Sequence, residues 1–189
     1  MRRRVIFLFA ALVPVAALLG LMAWALAQSG GNPGGLLVRN VFGEVAVKER
    51  PAPPFILPIL DGTALELSDL KGKWVMVDFW SSWCPPCIEE APVLVSTYRQ
   101  FAGQGVEFVG VAIWDEEEAV RGFVQRYSIS YPSGFDANGK IAIDYSMRGI
   151  PEKFFIDPDG RLVRKFVGPA TQEKLGAILD ELLAQGKGG

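Results

Sequence analysis

The sequence predicts an α/β domain, a mixed β-sheet flanked by helices on both faces with a β-hairpin extension at its N-terminal side. Three observations predict it. Two apolar runs, Trp74–Phe79 and Val106–Ile113, have the length and continuity of strands buried on both faces. Each is followed by helical spacing, at Ile88, Ala91, Leu94, Val95 and Tyr98 after the first run and at Val120, Phe123, Val124 and Tyr127 after the second. A second hairpin pattern and a last amphipathic stretch then complete a β-hairpin, β-α-β-α, β-β-α order.

The chain has 189 residues, 50% hydrophobic and 21% charged, which suits one globular domain with an appended segment. Beyond the first 30 residues about 160 remain, enough for a core that needs no disulfide staples. Net charge is -2, and without Arg2, Arg3 and Arg4 it falls to -5, so nucleic acid is not an expected partner. Histidine is absent. Ser/His and Cys/His triads, His-ligated zinc and haem attachment through CxxCH are thereby excluded, and a lone CxxC makes a poor zinc cage, so no metal is expected.

Residues 1–27 read as a signal-anchor or transmembrane segment: three arginines precede Val5–Ala27, an uncharged run of 23 residues. As a helix that run would reach about 34 Å, longer than a hydrocarbon core of about 30 Å. The positive-inside rule leaves the arginines in the cytoplasm and the domain outside it. A cleaved signal peptide is the alternative, since Ala25-Leu26-Ala27 is an A-x-A site, and it leaves the domain soluble in the periplasm. Residues 28–52 read as a Gly-rich tether and lead-in, Leu36–Lys48 being ambiguous between an edge strand and irregular chain and Pro51, Pro53 and Pro54 opposing regular structure. Residues 53–185 form the domain and 186–189 a frayed tail.

Within the domain, Phe55–Leu57 and Ala64–Leu67 flank Asp61-Gly62 as a hairpin, and Ser68-Asp69-Leu70 caps a short turn. Trp74–Phe79 is the central strand, and a helix over Cys87–Phe101 carries a kink at Pro92. Val106–Ile113 is the next strand and Asp115–Tyr127 the next helix, with Asp115-Glu116-Glu117-Glu118 read as first-turn carboxylates that complement the helix dipole. Asp136–Gly139 is a turn and Lys140–Tyr145 a short helix. Phe154–Ile156 and Leu162–Val167 make a hairpin around Asp157-Pro158-Asp159-Gly160, and Thr171 caps a last helix ending at Leu183.

The chemistry lies in Trp83-Cys84-Pro85-Pro86-Cys87, which holds the only two cysteines. A buried strand delivering CxxC to a helix start is the layout of a dithiol/disulfide redox pair, because the helix N-terminus favours a thiolate. Cys84 is the expected nucleophile and Cys87 the resolving thiol. The two prolines remove backbone donors and stiffen the loop. An inert staple is the alternative, although a bridge closing so short a loop restrains little of the unfolded chain.

With Val77-Asp78-Phe79-Trp80-Ser81-Ser82 before the pair, Leu67–Lys73 further upstream and Gly149-Ile150-Pro151-Glu152 and Phe155-Ile156-Asp157 downstream, the chain from about Pro53 to Leu183 resembles the membrane-anchored TlpA/ResA/DsbE-like (CcmG-type) thiol-disulfide oxidoreductases of the thioredoxin superfamily. The resemblance implies a thioredoxin-like fold and a protein-disulfide reductase. It implies no cofactor beyond the Cys84–Cys87 disulfide itself. Asp78 takes the place of the buried thioredoxin aspartate, where desolvation raises an acid toward the range of a proton acceptor; pairing with a buried lysine or with backbone is the alternative. Glu90 matches the acid that tunes the pair in TlpA-like proteins, with first-turn dipole complementation as its alternative. Pro151 matches the cis-proline facing the CxxC, which leaves the Ile150 backbone free to pair with an extended substrate segment. Glu152 resembles the residue of the DsbE-like reductases. Trp83, Pro85, Pro86, Ile150, Pro151 and Glu152 are the expected substrate-contact set. The implied partners are disulfide-containing proteins, among them apocytochrome c or its assembly factors, and a membrane electron donor, with the N-terminal helix holding the domain to the membrane. A general periplasmic reductase or an oxidase is the rival enzyme, and a tethered binding module with a structural disulfide the rival outside enzymes.

Overall fold

The computed structural model describes residues 13–24 and 42–186. The chain forms two compact units, Met1–Asn40 and Val41–Gly189. In the first, residues 13–24 form helix α1, exposed along its length. No helix among the described residues is long and apolar enough to cross a membrane. Of the anchor segment expected over 1–27, residues 1–12 and 25–27 lie outside the described residues, as do the tether at 28–35 and the last three residues of the tail.

The second unit is the expected thioredoxin-like α/β fold. Its strands are β1 Gly43–Val45, β2 Arg50–Pro51, β3 Ile56–Pro58, β4 Ala64–Glu66, β5 Trp74–Trp80, β6 Val106–Ala112, β7 Ser133–Phe135, β8 Glu152–Ile156 and β9 Arg161–Val167. Its helices are α2 Pro85–Phe101, α3 Glu117–Tyr127, α4 Lys140–Asp144 and α5 Gln172–Gly186. The main sheet runs β1-β9-β8-β5-β6-β7, with β2 also on β9. The pairs β5–β6 and β6–β7 are parallel, and β5–β8, β8–β9 and β1–β9 antiparallel, so the sheet is mixed.

All seven residues of β5 are buried, the six apolar ones as a strand covered on both faces requires and Asp78 with them. Alternation sends Val75, Val77 and Phe79 toward the hairpin β3–β4 and α4. Met76 and Trp80 face the other side, where α2, α3 and α5 pack. Asp78 shares the parity of Met76 and Trp80, so a carboxylate lies beneath the helix that carries the cysteines.

The structure corrects the sequence reading at several places. Residues Gly43–Val45 and Arg50–Pro51 are strands on the sheet edge, so the domain begins before residue 53. Pro51 is tolerated there because an edge strand has one side without ladder partners. Ser133–Phe135, a run too short and glycine-broken to show alternation, is a third parallel strand. Helix α2 starts at Pro85 instead of Cys87 and continues through Pro92. In the third helix only Glu117 and Glu118 lie in the first turn, so Asp115 is a loop residue with another task. The hairpin loop is also longer than two residues: Ile59 N–H donates to the Thr63 carbonyl at 2.8 Å, Asp61 accepts the Thr63 N–H at 2.9 Å and Gly62 takes φ 92°.

Gly134 lets that hairpin dock. Ile59 bridges to Gly134, and Leu60 N–H donates to the Ser133 carbonyl at 3.0 Å. A Cβ at Gly134 would lie 2.6 Å from Leu57 Cγ and closer still to the Pro58 carbonyl. Gly134→Ala is expected to cost about 1–3 kcal/mol through overpacking. Urea unfolding checks this, and an unchanged midpoint would refute the docking.

Candidate active site

Strand β5 ends at Trp80, and a loop of three residues leads to Cys84, the N-cap of α2. Cys84 and Cys87 form a disulfide with Cα atoms 5.3 Å apart. Cys84 Sγ accepts the Cys87 N–H at 3.4 Å, the N3 donor that a capping side chain uses. Pro85 and Pro86 occupy N1 and N2. At N1, the first helical position, the missing N–H is an orphan anyway, so the double proline leaves the donor facing Cys84 intact while its rigid φ presets the helix start.

Both cysteines are 3% exposed, whereas Trp83 beside them is 57% exposed. Trp83 Nε1–H donates to the Trp114 carbonyl at 2.8 Å. Trp114 is exposed at 58% with φ 51°, a left-handed conformation uncommon for a bulky residue. The two tryptophans, Ile143 and Met147 line a groove of about 510 Å³ beside the cysteine loop. Asp115 holds that loop in place: its carboxylate accepts the Ser82 N–H at 2.5 Å and the Ser82 hydroxyl at 3.0 Å. The Ser81 hydroxyl donates to the Ile113 carbonyl. Sequence reading missed Trp114 and Asp115, and the available signal was their place just after the strand next to β5. Asp115→Ala is expected to cost about 1–2 kcal/mol by leaving the Ser82 N–H without its partner. It should also slow disulfide exchange several-fold, as stopped-flow kinetics will show.

Behind Cys87 lies a buried cluster of charge. Lys153 Nζ is 2.5 Å from Glu90 Oε2 and 3.4 Å from Asp78 Oδ1, and the three side chains are 0–2% exposed. Ala170 N–H donates to Glu90 Oε1 at 2.7 Å. The β5–β8 register sets Lys153 directly opposite Asp78. Burial drives the Glu90 carboxyl up to about 7, against the attraction of Lys153. The same two forces act on Asp78, with burial again the stronger and its carboxyl raised. Asp78 therefore meets both readings made from sequence, a desolvated acid and a partner of a buried lysine. Glu90 does not serve as a first-turn dipole residue exposed to solvent, because its carboxylate is consumed by Lys153 and Ala170. Lys153 was not singled out, and its only signal was one cation opening the apolar run Phe154-Phe155-Ile156.

The Ile150–Pro151 peptide is cis, and Ile150 packs against the cluster that holds both cysteines. Pro151 is buried, with its carbonyl accepting the Gly168 N–H at 2.8 Å. Pro85 is exposed and Pro86 half-buried, so the contact surface around the disulfide is Trp83, the two prolines and Ile150. Glu152 does not belong to that surface. It is 1% exposed, paired with Lys165 Nζ at 2.7 Å, and accepts the Arg148 N–H at 3.3 Å. As the first residue of β8 it points inward, where it braces the loop that carries Ile150.

The AhpC/TSA family model matches residues 49–165. A thiol-disulfide oxidoreductase ResA of Bacillus cereus is 38% identical over 133 residues, covering 70% of this chain and 77% of that protein. Among solved structures, a thiol:disulfide interchange protein of the thioredoxin family from Chlorobium tepidum TLS superposes with a TM-score of 0.67 at 29% identity, covering 74% of this chain and 99% of the other. A secreted Mycobacterium tuberculosis disulfide oxidoreductase, described as homologous to E. coli DsbE, superposes with a TM-score of 0.63 at 28% identity, covering 68% and 96%.

Proposed function

The chain belongs to the AhpC/TSA family and, within it, to the ResA/DsbE-like thiol-disulfide oxidoreductases, and from that membership we propose that it reduces disulfides in exported partner proteins through Cys84 and Cys87, most specifically during cytochrome c maturation. The observation that supports the exchange chemistry is the cluster behind Cys87, where Asp78 and Glu90 line one small cavity with the resolving thiol, and the reductive direction is taken from the likeness to the ResA proteins.

The steps follow from the residues. In the dithiol, Cys84 is the thiolate, since it caps α2 and faces the Cys87 N–H. It attacks one sulfur of the partner's disulfide, and the other sulfur leaves with the electron pair and a proton. Cys87 then gives its proton to the acid cluster and attacks Cys84 Sγ, closing the Cys84–Cys87 disulfide and freeing the second partner thiol. The partner's segment lies across Trp83, Pro85, Pro86 and the Ile150 backbone, with Pro151 holding that backbone in place. Glu152 acts on this surface through the loop it braces.

Export rests on the arginines followed by the apolar run of residues 5–27, and a membrane anchor, with a membrane electron donor to restore the dithiol, is the corresponding arrangement. Outside the cytoplasm an oxidising environment closes cysteine pairs that haem attachment needs open, which gives a dedicated reductant its use. The test is capture of partners. In cells, the full chain carrying Cys87→Ser should accumulate disulfide-linked adducts containing apocytochrome c or its assembly factors. Adducts without any of these would remove the maturation role and leave a general reductase.

A further inference from the structure

Trp114 stands in a conformation that its own packing does not explain. Its φ of 51° lies in the left-handed region, which crowds the Cβ of a bulky residue against its backbone, yet its side chain is 58% exposed and so buries little to offset that strain. What the conformation does is local. The Trp114 carbonyl accepts the Trp83 indole N–H at 2.8 Å, and the next residue, Asp115, accepts the Ser82 N–H and hydroxyl. The turn after β6 thereby grips the two residues that precede Cys84, and the Trp83 indole is fixed instead of swinging free.

The walls around the two indoles are of three kinds. Of the five large apolar side chains exposed on the second unit, Phe42, Ile56, Trp83, Trp114 and Ile143, three line the groove beside the cysteine loop, and Met147 lies with them. Three carboxylates, Asp115, Glu116 and Asp136, line it as well, and none of its described lining residues is a cation. Asp115 is spent on Ser82 and Asp136 accepts the Ala142 N–H at 3.0 Å, which leaves the exposed Glu116 to meet an incoming charge. Lys140, on the same helix as Ile143, is paired with Asp144. Indole faces, aliphatic side chains and carboxylates without a base match one kind of occupant, a lysine or arginine, whose stem is apolar and whose head is drawn to aromatic faces and carboxylates alike.

We infer that Trp114 is a specificity-determining residue, which fixes Trp83 through its carbonyl and forms with it an aromatic cleft for a lysine or arginine side chain of the partner, beside the cysteine that Cys84 attacks. The inference rests on the reductase reading, in which the partner's segment crosses Trp83. It adds a charge preference: a segment with a basic residue beside its disulfide is reduced faster than one with an acidic residue there.

The test uses the full chain, reduced beforehand, and three peptides, each closed by one disulfide and differing only at the residue beside one cysteine: lysine, norleucine or glutamate. Rates of peptide thiol release against peptide concentration give a limiting rate and a saturation constant for each. In the ratio of the first to the second, the lysine peptide should exceed the glutamate peptide about tenfold, with norleucine between them and the difference carried by the saturation constant. Added salt should narrow the gap between lysine and norleucine. Trp114→Gly keeps the left-handed backbone and the carbonyl but removes the indole, and should bring the lysine preference down to about twofold. Ile143→Lys sets a cation on the wall of the groove and should invert the preference; because Ile143 is 73% exposed, this variant decides the matter where Trp114→Gly does not fold. Equal constants for the three peptides, a norleucine peptide reduced as fast as the lysine one, or a preference unchanged in either variant overturns the inference. A wild type that reduces none of the three, yet when oxidised takes electrons from their dithiol forms, sinks the reductase reading itself.

Discussion

Cys84→Ser lowers disulfide reduction by at least about 1000-fold, whereas Cys87→Ser keeps the first exchange and stops at the mixed disulfide. The asymmetry follows from where the helix begins. Cys84 is the N-cap of α2, beside the exposed Trp83 and facing the N3 donor, which favours its thiolate. Cys87 lies one turn deeper, against the cavity that holds Asp78 and Glu90. A hydroxyl at position 84 is not ionised at neutral pH, so attack does not begin. A hydroxyl at position 87 cannot displace the partner's sulfur, so the covalent complex persists. Insulin reduction and mass spectrometry of the adduct measure the two outcomes. Activity in both single variants would place the chemistry elsewhere, and an adduct at Cys87 in Cys84→Ser would reverse the roles.

The second large effect concerns stability against pH. Glu90 has a folded value of about 7 against an ordinary value of 4.5, so the folded protein holds a proton that the unfolded chain has released. A raised carboxyl stabilises the fold fully below the unfolded value, and that contribution is lost as pH rises through the folded value. Between pH 4.5 and 7 the loss from this group is about 3 to 4 kcal/mol at most, since each pH unit between the two values is worth roughly 1.4 kcal/mol. Asp78 is raised in the same direction and adds to it. The wild type should therefore lose stability relative to Glu90→Gln as pH climbs across that window. Urea unfolding of both proteins at mildly acidic and neutral pH measures the difference. Parallel curves would show that Glu90 titrates alike in the folded and unfolded chain.

Much of the site was legible because it is local. The strand Trp74–Phe79, the CxxC and the helix after it lie within one run of sequence, where apolar continuity and helical spacing speak directly. Pro151 and Asp78 came from the match of whole motifs. The short strand Ser133–Phe135 and the edge strands Gly43–Val45 and Arg50–Pro51 were not legible, because two or three residues carry no period and their pairing is supplied by β6 and β9. Asp115 was misread for a similar reason. Four acids in a row look like one helical turn until the structure shows that the first of them caps nothing and holds Ser82.

By itself the sequence determined the α/β order of elements, the redox pair and its place at a strand-to-helix junction, since each depends on neighbours a few residues apart. Only the tertiary structure decided what surrounds the pair. The β5–β8 register put Lys153 opposite Asp78, α2 brought Glu90 onto the same ammonium, and strand parity turned Glu152 inward to Lys165. Register and parity in a sheet depend on how distant segments bury their apolar faces together, and a shift of one residue would send each of these charges to the opposite face.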